Sequence, residues 1–394
     1  MMSKYVIRSS NAETFKAAGH LVAEVFSGDN PRLYERMSHD WVANLPTKPN
    51  FSYNLCRVGV INGEVVSQVL IEKDTIYYGK TKLKVAMIGK VATHPQYRHM
   101  GYSSALIRDT LATVAEQGAH LALLNDLGSF YHHFGFSTVL PDTVLEVDSE
   151  TAMHMPRPLR IRTATIEDLT EIAQLYQRHW GGRVSFRRST HWWEWKFNSS
   201  IDPILVAVTQ GDRVQGYLWR ETMGNQLEIV CDTLPATMSL LSFLGKRMNN
   251  IHEPSIQLMI PPDDTILSFV RQMMTVNVRA VYRYNSGWMA RIIDSTALLN
   301  ALLPEITSHA RTLVPDFNSR ALYLTSDVDA VTIGLHTQPN SGLHLSHRDF
   351  IQVMFGSLRP MMLARRDQLP DDMVQLLEVL FPPRIASIAP LNWM

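Results

Sequence analysis

The sequence predicts a mixed α+β and α/β fold in which one plan of strands and helices is laid down twice and a third, α+β segment follows. Three observations point there. Apolar residues at helical spacing alternate with Val- and Ile-rich runs of strand type. The opening pattern, Val6-Ile7-Arg8 followed by an amphipathic helix, returns at Leu159–Ala164 followed by Ile166–Trp180. A Pro-rich stretch, Met153 to Pro158, stands between the two copies. The expected domains are therefore 1–152, 153–285 and 286–394.

Taken in order, Tyr5–Arg8 suits a short strand, and Ala12–Phe26 places Phe15, Ala18, Leu21, Val22 and Val25 on one helical face. Leu55–Ile61, Glu64–Glu72 and Leu83–Thr93 read as an antiparallel meander, with Asn62-Gly63 as the turn of its first hairpin. Pro95 ends the third strand, and a loop, Arg98 to Ser103, opens a helix over Ser104–Gln117. A buried strand, His120–Asn125, and the aromatic run Phe130 to Phe136 come next. In the second copy, strands are expected at Ile204–Val208 and Val214–Arg220, separated by Gly211-Asp212. In the third segment Trp288–Asp294 reads as a strand, Ser295 or Thr296 as the cap of a helix through Leu303, and Ala321–Ser326 and Val331–His336 as strands. A helix opens at Ser346 and runs to Phe355. The tail, Pro390 to Met394, is apolar enough to be expected to dock on the protein.

Composition excludes several classes. Lys+Arg and Asp+Glu both total 37, so no global basic field draws the chain to nucleic acid or an anionic membrane. Cys56 and Cys231 stand far apart with no CxxC or Cys/His cluster, which argues against a metal site and for a reducing, cytoplasmic compartment. No apolar run approaches the roughly 20 residues that span a bilayer. At 394 residues and 45% hydrophobic content, the chain can fill more than one core.

The motif with chemistry in it is Arg98-His99-Met100-Gly101-Tyr102-Ser103. A pyrophosphate needs several converging N–H donors, and a tight loop entering a helix supplies them together with the positive end of the helix dipole. Gly101 lets the backbone approach closely, and Ser103 is small. Read alone, the same loop could be an ordinary connection with a surface arginine.

In its setting, Val91-Ala92-Thr93-His94-Pro95-Gln96-Tyr97-Arg98-His99-Met100-Gly101-Tyr102-Ser103 resembles motif A of the GNAT acetyltransferases, Arg/Gln-x-x-Gly-x-Gly/Ala, with Ser103 departing at the last position. The resemblance implies acetyl-CoA as cosubstrate. Its pantetheine arm would lie along Val91, Ala92 and Thr93, its pyrophosphate on Arg98, His99, Met100, Gly101, Tyr102 and Ser103, with Asn125 also counted among the binding residues. Phe130-Tyr131-His132-His133-Phe134-Gly135-Phe136 matches the family stretch F-Y-x-x-F-G-F/Y, which implies that Tyr131 protonates the departing thiolate. A phenol with an ordinary pKa of about 10 carries its proton at pH 7. Packing in an aromatic cluster is the other reading of the same residue.

Over its full length the chain is similar to the Eis family: a GNAT domain, a degenerate GNAT-like copy without the phosphate loop, and a C-terminal region resembling sterol-carrier-protein-like domains. That similarity implies a homo-oligomer, a hexamer in that family, and a terminal carboxylate acting as base, here that of Met394. The family commonly ends in an aromatic residue, a bulk that Trp393 could supply. The implied reaction is direct acetyl transfer to a small-molecule or peptide amine, that of an aminoglycoside, polyamine, amino acid, peptide or lysine side chain, with transfer of a longer acyl chain as a further reading. The alternative is a protein that senses acyl-CoA or binds a lipid or peptide without turnover. Minor candidates are His132 or His133 as base, with neighbours in an extended segment pointing opposite ways. Asp29, Glu35 and Asp40 are candidates for attracting a cationic acceptor, and Trp192-Trp193-Glu194-Trp195 reads as domain-interface packing.

Overall fold

Local chemistry explains where the first elements start and stop. A computed structural model describes residues 4–126, 129–200, 202–221, 226–313, 322–327, 329–335, 343–369, 371–382 and 386–392. Strand β1 (Val6–Ser9) leads into helix α1 (Ala12–Ser27), whose first turn is closed by reciprocal bonds between Asn11 and Thr14. Helix α2 (Pro31–His39), which the apolar pattern does not announce, is capped by Asn30 and has proline in its first turn. Strands β2 (Cys56–Ile61) and β3 (Glu64–Tyr78) are joined by Asn62-Gly63 with φ of 52° and 88°, as a type I′ hairpin turn requires. Strand β3 runs beyond its expected end at Glu72 and pairs with β4 (Thr81–Thr93). Helix α3 (Tyr102–Glu116), β5 (Leu121–Asp126), a 3-10 turn at Tyr131–Phe134 and β6 (Ser137–Leu140) follow.

The middle of the chain forms β7 (Asp142–Asp148), α4 (Ser149–Met153), β8 (Arg160–Thr163), α5 (Leu169–Trp180), the two-residue β9 (Ser185–Phe186), α6 (Thr190–Ser199), β10 (Leu205–Val208), β11 (Val214–Glu221) and β12 (Gln226–Cys231). It continues with α7 (Leu234–Asn249), β13 (Ser255–Met259), α8 (Thr265–Val270) and β14 (Asn277–Val281). Last come β15 (Gly287–Ile292), α9 (Ser295–Leu313), β16 (Leu322–Ser326), β17 (Ala330–Leu335), β18 (Leu343–Ser346), α10 (His347–Phe355), α11 (Pro360–Asp367) and α12 (Asp371–Leu380).

Among the described residues, 4–139 and 283–382 form one compact unit, and 140–282 with 386–392 form another. In the first, the main sheet runs β1-β2-β3-β4-β5-β15-β6. Phe15, Ala18, Leu21 and Val22 of α1 pack with Cys56, Val58 and Val60 of β2. A second cluster joins Leu106, Ile107 and Leu111 of α3 to Val69, Ile88 and Leu124. The period of two along β2 and of three to four along the helices is what fills these clusters. The C-terminal segment of this unit adds α9 to α12 and a separate antiparallel sheet, β16-β17-β18. In the second unit β12-β11-β10-β8 form one antiparallel sheet and β13-β7-β14 another.

Strand, two helices, three antiparallel strands, helix, strand and a final strand thus occur twice, from β1 to β6 and from β8 to β14. Each copy receives an inner strand from elsewhere in the sequence. Strand β15, which follows the second copy, sits between β5 and β6, while β7, which follows the first copy, sits between β13 and β14. The expected boundaries at 152/153 and 285/286 cut across this pairing, because alternation identifies a strand without naming the sheet that accepts it.

Other expectations shift locally. Helix α9 is capped by Asp294, whose Oδ1 accepts from the Ala297 N–H at 2.8 Å, and it continues to Leu313 with Pro304 inside it. Trp192 and Trp193 are core residues of the second unit, packed with Tyr176, Trp180, Tyr217 and Trp219. Residues 321 and 336, at the ends of two expected strands, lie outside the described residues.

Candidate active site

Strands β4 and β5 lie parallel but pair over a short register only, from Val85 opposite Leu121 to Met87 opposite Leu123. Beyond it β4 continues to Thr93 through a bulge: Gln68 faces Ala92 and Leu70 faces Gly89, so Val69 opposes both Lys90 and Val91. Lys90 takes the left-handed φ of 50°, and the fully buried Gln68 amide donates to its carbonyl. A bulge bends its strand, and the early end of the ladder leaves the β5 side of Ile88–Thr93 without strand pairing among the described residues. Backbone groups of Val91, Ala92 and Thr93 therefore stand at the mouth of a split sheet.

The loop after β4 is tied to that split. Arg98 Nε donates to the Thr93 carbonyl at 3.2 Å, and Thr93 Oγ1 and Ser103 Oγ are 2.7 Å apart. His99 and Gly101 have φ of 64° and 79°, so the chain folds back twice before entering α3. Gly101 is the N-cap, it offers no side-chain cap, and the space where a Cβ would project is open within 4 Å. The first N–H groups of a helix have no partner inside it, and here no side chain caps them, the geometry an anion cradle requires. Met100 is exposed at the loop tip. These features fit a coenzyme pyrophosphate, with Arg98 as the adjacent cation.

Three residues outside the sequence expectation hold the loop. Tyr5 stacks on Tyr102 with ring centroids 4.1 Å apart, and its Oη lies 2.8 Å from Ser67 Oγ and donates to the Tyr102 carbonyl at 3.3 Å. Burial pushes the Tyr5 phenol up from its ordinary value, which keeps it a donor. Gly59 makes room, since a Cβ there would meet Tyr5 Oη at 2.2 Å. The cue is a glycine, Gly59, directly opposite Ser67 and beside Tyr5 at the entry to β1, legible only once the register is known.

Tyr131 begins the 3-10 turn after β5, buried against Phe130 and Phe136 with centroids 5.2 Å and 6.1 Å away. It belongs to the cluster that also holds Val69 and Ile88 of the split strands, so the expected acid and the expected carbonyl-binding strand meet in one neighbourhood. Asn125 is exposed on β5, opposite Trp288 of β15. His132 and His133 are in a tight turn rather than an extended run, and their rings lie 3.8 Å apart instead of on opposite sides. Asp29 and Glu35 are exposed beside or on α2, and Asp40 accepts from Asn44 Nδ2 at 2.8 Å. Met394 and Trp393 lie outside the described residues.

The equivalent helix start in the second unit carries a side-chain cap. Helix α7 is capped by Thr233, whose Oγ1 accepts from the Ala236 N–H at 3.3 Å, and Pro235 removes a first-turn donor. Strand β13 leads to Pro261-Pro262-Asp263-Asp264 instead of an aromatic run. Among the described residues no group of His, Cys, Asp and Glu could hold a metal ion. No described helix is long and apolar enough to cross a membrane.

Residues 6–139 match the family of acetyltransferase (GNAT) domains. This segment is a GNAT N-acetyltransferase domain. Solved structures extend the GNAT likeness to the whole chain as a fold. A GCN5-related N-acetyltransferase from Kribbella flavida is 15% identical, with 100% of this chain and 99% of that one covered and a TM-score of 0.66. A probable N-acyltransferase from Enterococcus faecalis is 16% identical, with both chains covered completely and a TM-score of 0.69. Eis1 from Mycobacterium abscessus is 15% identical, covering 99% and 100%, with a TM-score of 0.58. Among curated proteins no sequence matches this chain. The GNAT segment spans β1 to β6, so the matched region contains both the split strands and the loop before α3.

Proposed function

We propose that the chain transfers an acetyl group directly from acetyl-CoA to an amine. The observation that carries this is the uncovered start of α3, led by Gly101 and bonded through Thr93 and Ser103 to a β4 that parts from β5. Coenzyme A, when bound, supplies an acetyl group activated as a thioester. Arg98, His99, Met100, Gly101, Tyr102 and Ser103 bind its pyrophosphate, and the backbone of Val91, Ala92 and Thr93 binds the pantetheine arm and polarises the carbonyl. Asn125 lines the same cleft from β5. Tyr131 holds the proton that goes to the leaving sulfur. A protonated amine cannot attack, and the Met394 carboxylate is the group that takes its proton.

The wider reading follows the Eis family: residues 286–394 as a sterol-carrier-protein-like domain, a homo-oligomer of up to six copies, and a cytoplasmic setting. The antiparallel β16-β17-β18 sheet with its helices supports the α+β part, and the free, buried Cys56 and Cys231 suit a reducing compartment. The test is release of free thiol from acetyl-CoA across amines of several classes: aminoglycosides, polyamines, amino acids and peptides. Amine-dependent release is expected. Binding of acetyl-CoA with no release from any amine would overturn the transferase reading in favour of a sensor.

A further inference from the structure

The second unit buries an ion pair that the proposed chemistry does not use. Arg188, nine-tenths buried or more, donates from Nη1 and Nη2 to the two oxygens of Glu228 on β12, at 2.6 and 2.7 Å. Tyr217 Oη donates to Glu228 Oε1 at 2.7 Å. The guanidinium lies over the rings of Tyr176, Trp192 and Trp193, at 4.0, 4.4 and 5.0 Å from their centroids. Glu228 already neutralises the charge, so the remaining donors call for a neutral acceptor. That acceptor comes from the far end of the chain: Asn392 Oδ1 receives Nε at 3.0 Å and Nη2 at 2.7 Å.

The tail is seated along its length and not at this point alone. Ala386 forms a parallel bridge with Val184, and the Ser387 N–H donates to the Val184 carbonyl at 3.4 Å. Ala389 is fully buried in the aromatic cluster of Tyr176, Trp193, Tyr217 and Trp219. A final turn, in which the Asn392 N–H donates to the Ala389 carbonyl at 2.9 Å, presents the Asn392 amide to Arg188. The face of the second copy that buries α5 and α6 is thus also a dock for the chain's own C-terminus.

We propose that Arg188, held by Glu228 and its aromatic cage, is a positioning residue that latches the C-terminal tail through Asn392 and so limits where the terminal carboxylate can go. Residues 393 and 394 reach at most about 7 Å beyond Asn392. The catalytic consequence rests on the reading of the Met394 carboxylate as base. The latch itself does not.

The test uses the full-length protein, Asn392→Ala, and a chain lacking Trp393 and Met394. Asn392→Ala is chosen because it leaves the Arg188–Glu228 pair intact, whereas removing Arg188 would strand a buried carboxylate. Hydrogen exchange of the 386–392 amides should quicken at least tenfold in Asn392→Ala, and unchanged exchange overturns the latch whatever the rate does. Asn392→Ala should also lower kcat/KM for the amine about tenfold and move the rising limb of the pH profile to higher pH, with acetyl-CoA affinity unchanged. Fast exchange with a wild-type rate and pH profile, in a protein whose truncated form is inactive, overturns the positioning role. If the truncated form keeps the full rate and profile, the carboxylate-base reading fails, and the latch is judged by exchange alone.

Discussion

Helices α3 and α7 hold the same place in the repeated plan, each following the third strand of an antiparallel run, but their first turns are built oppositely. At α3 a left-handed Gly101 leaves the N–H groups uncovered and the space before them open. At α7 Thr233 folds its hydroxyl over Ala236 N–H, and Pro235 has no N–H to offer. The strands differ as well: β4 and β5 pair briefly and part within one sheet, whereas β12 and β13 belong to separate sheets. Both helices are stable and buried on one face, so the difference concerns what the helix start is free to bind and not whether the helix forms.

The largest effect expected from this comparison lies after β5, where the second copy has prolines and aspartates and the first has Tyr131. Tyr131→Phe should lower kcat by about 10²–10³-fold while acetyl-CoA affinity, measured by calorimetry, stays within about twofold. An unchanged kcat would return Tyr131 to a packing role. Next comes a graft of the α7 pattern onto α3. Ser103→Pro places proline at the second helical position, as in α7, where the fold tolerates it, and removes one donor and the bond to Thr93. Acetyl-CoA should bind about 10–100-fold more weakly, the loss of a hydrogen bond to a charged group. Affinity equal to wild type would mean that the α3 start is not the phosphate site.

In the other direction, Thr233→Ala uncovers α7 and should cost about 1 kcal/mol of stability by chemical denaturation, without changing acetyl-CoA binding. A second binding event in that variant would show that the second copy is merely blocked. The smallest effect concerns the cysteines, one in each copy. Burial pushes the Cys56 thiol up to about 12 and raises Cys231 further still. A thiolate is the reactive form, so at pH 8 both should label with a disulfide reagent far more slowly than in denaturant. Fast labelling of Cys231 alone would mean that the second copy opens readily.

What could be read from the sequence follows the range of the interactions. The Asn62-Gly63 hairpin, the helix after Asn11 and the loop ending at Gly101 depend on neighbours a few residues away, and all are visible as local patterns. The repeat was visible for the same reason. The ends of β3 and α9 were not, because sheet pairing and packing extend elements past the point where their own pattern fades. At the site, the loop was legible. The Tyr5 stack on Tyr102, the Gln68 contact to Lys90 and the Gly59 clearance join residues far apart in the sequence and need the tertiary arrangement first. The docking of an apolar tail could be expected from solvent exposure alone, but nothing marks Arg188, in a run of three arginines within six residues, as the one that receives it.

The crossed placement of β7 and β15 also sets a schedule for synthesis. The first sheet has its β1-to-β6 strands by residue 140, yet the strand that joins β5 to β6 is not complete until residue 292. At 5–20 residues per second the ribosome takes about 8–30 s to bridge that interval. Throughout it, the edges of β5 and β6 that β15 joins in the folded sheet lack the strand that pairs them there.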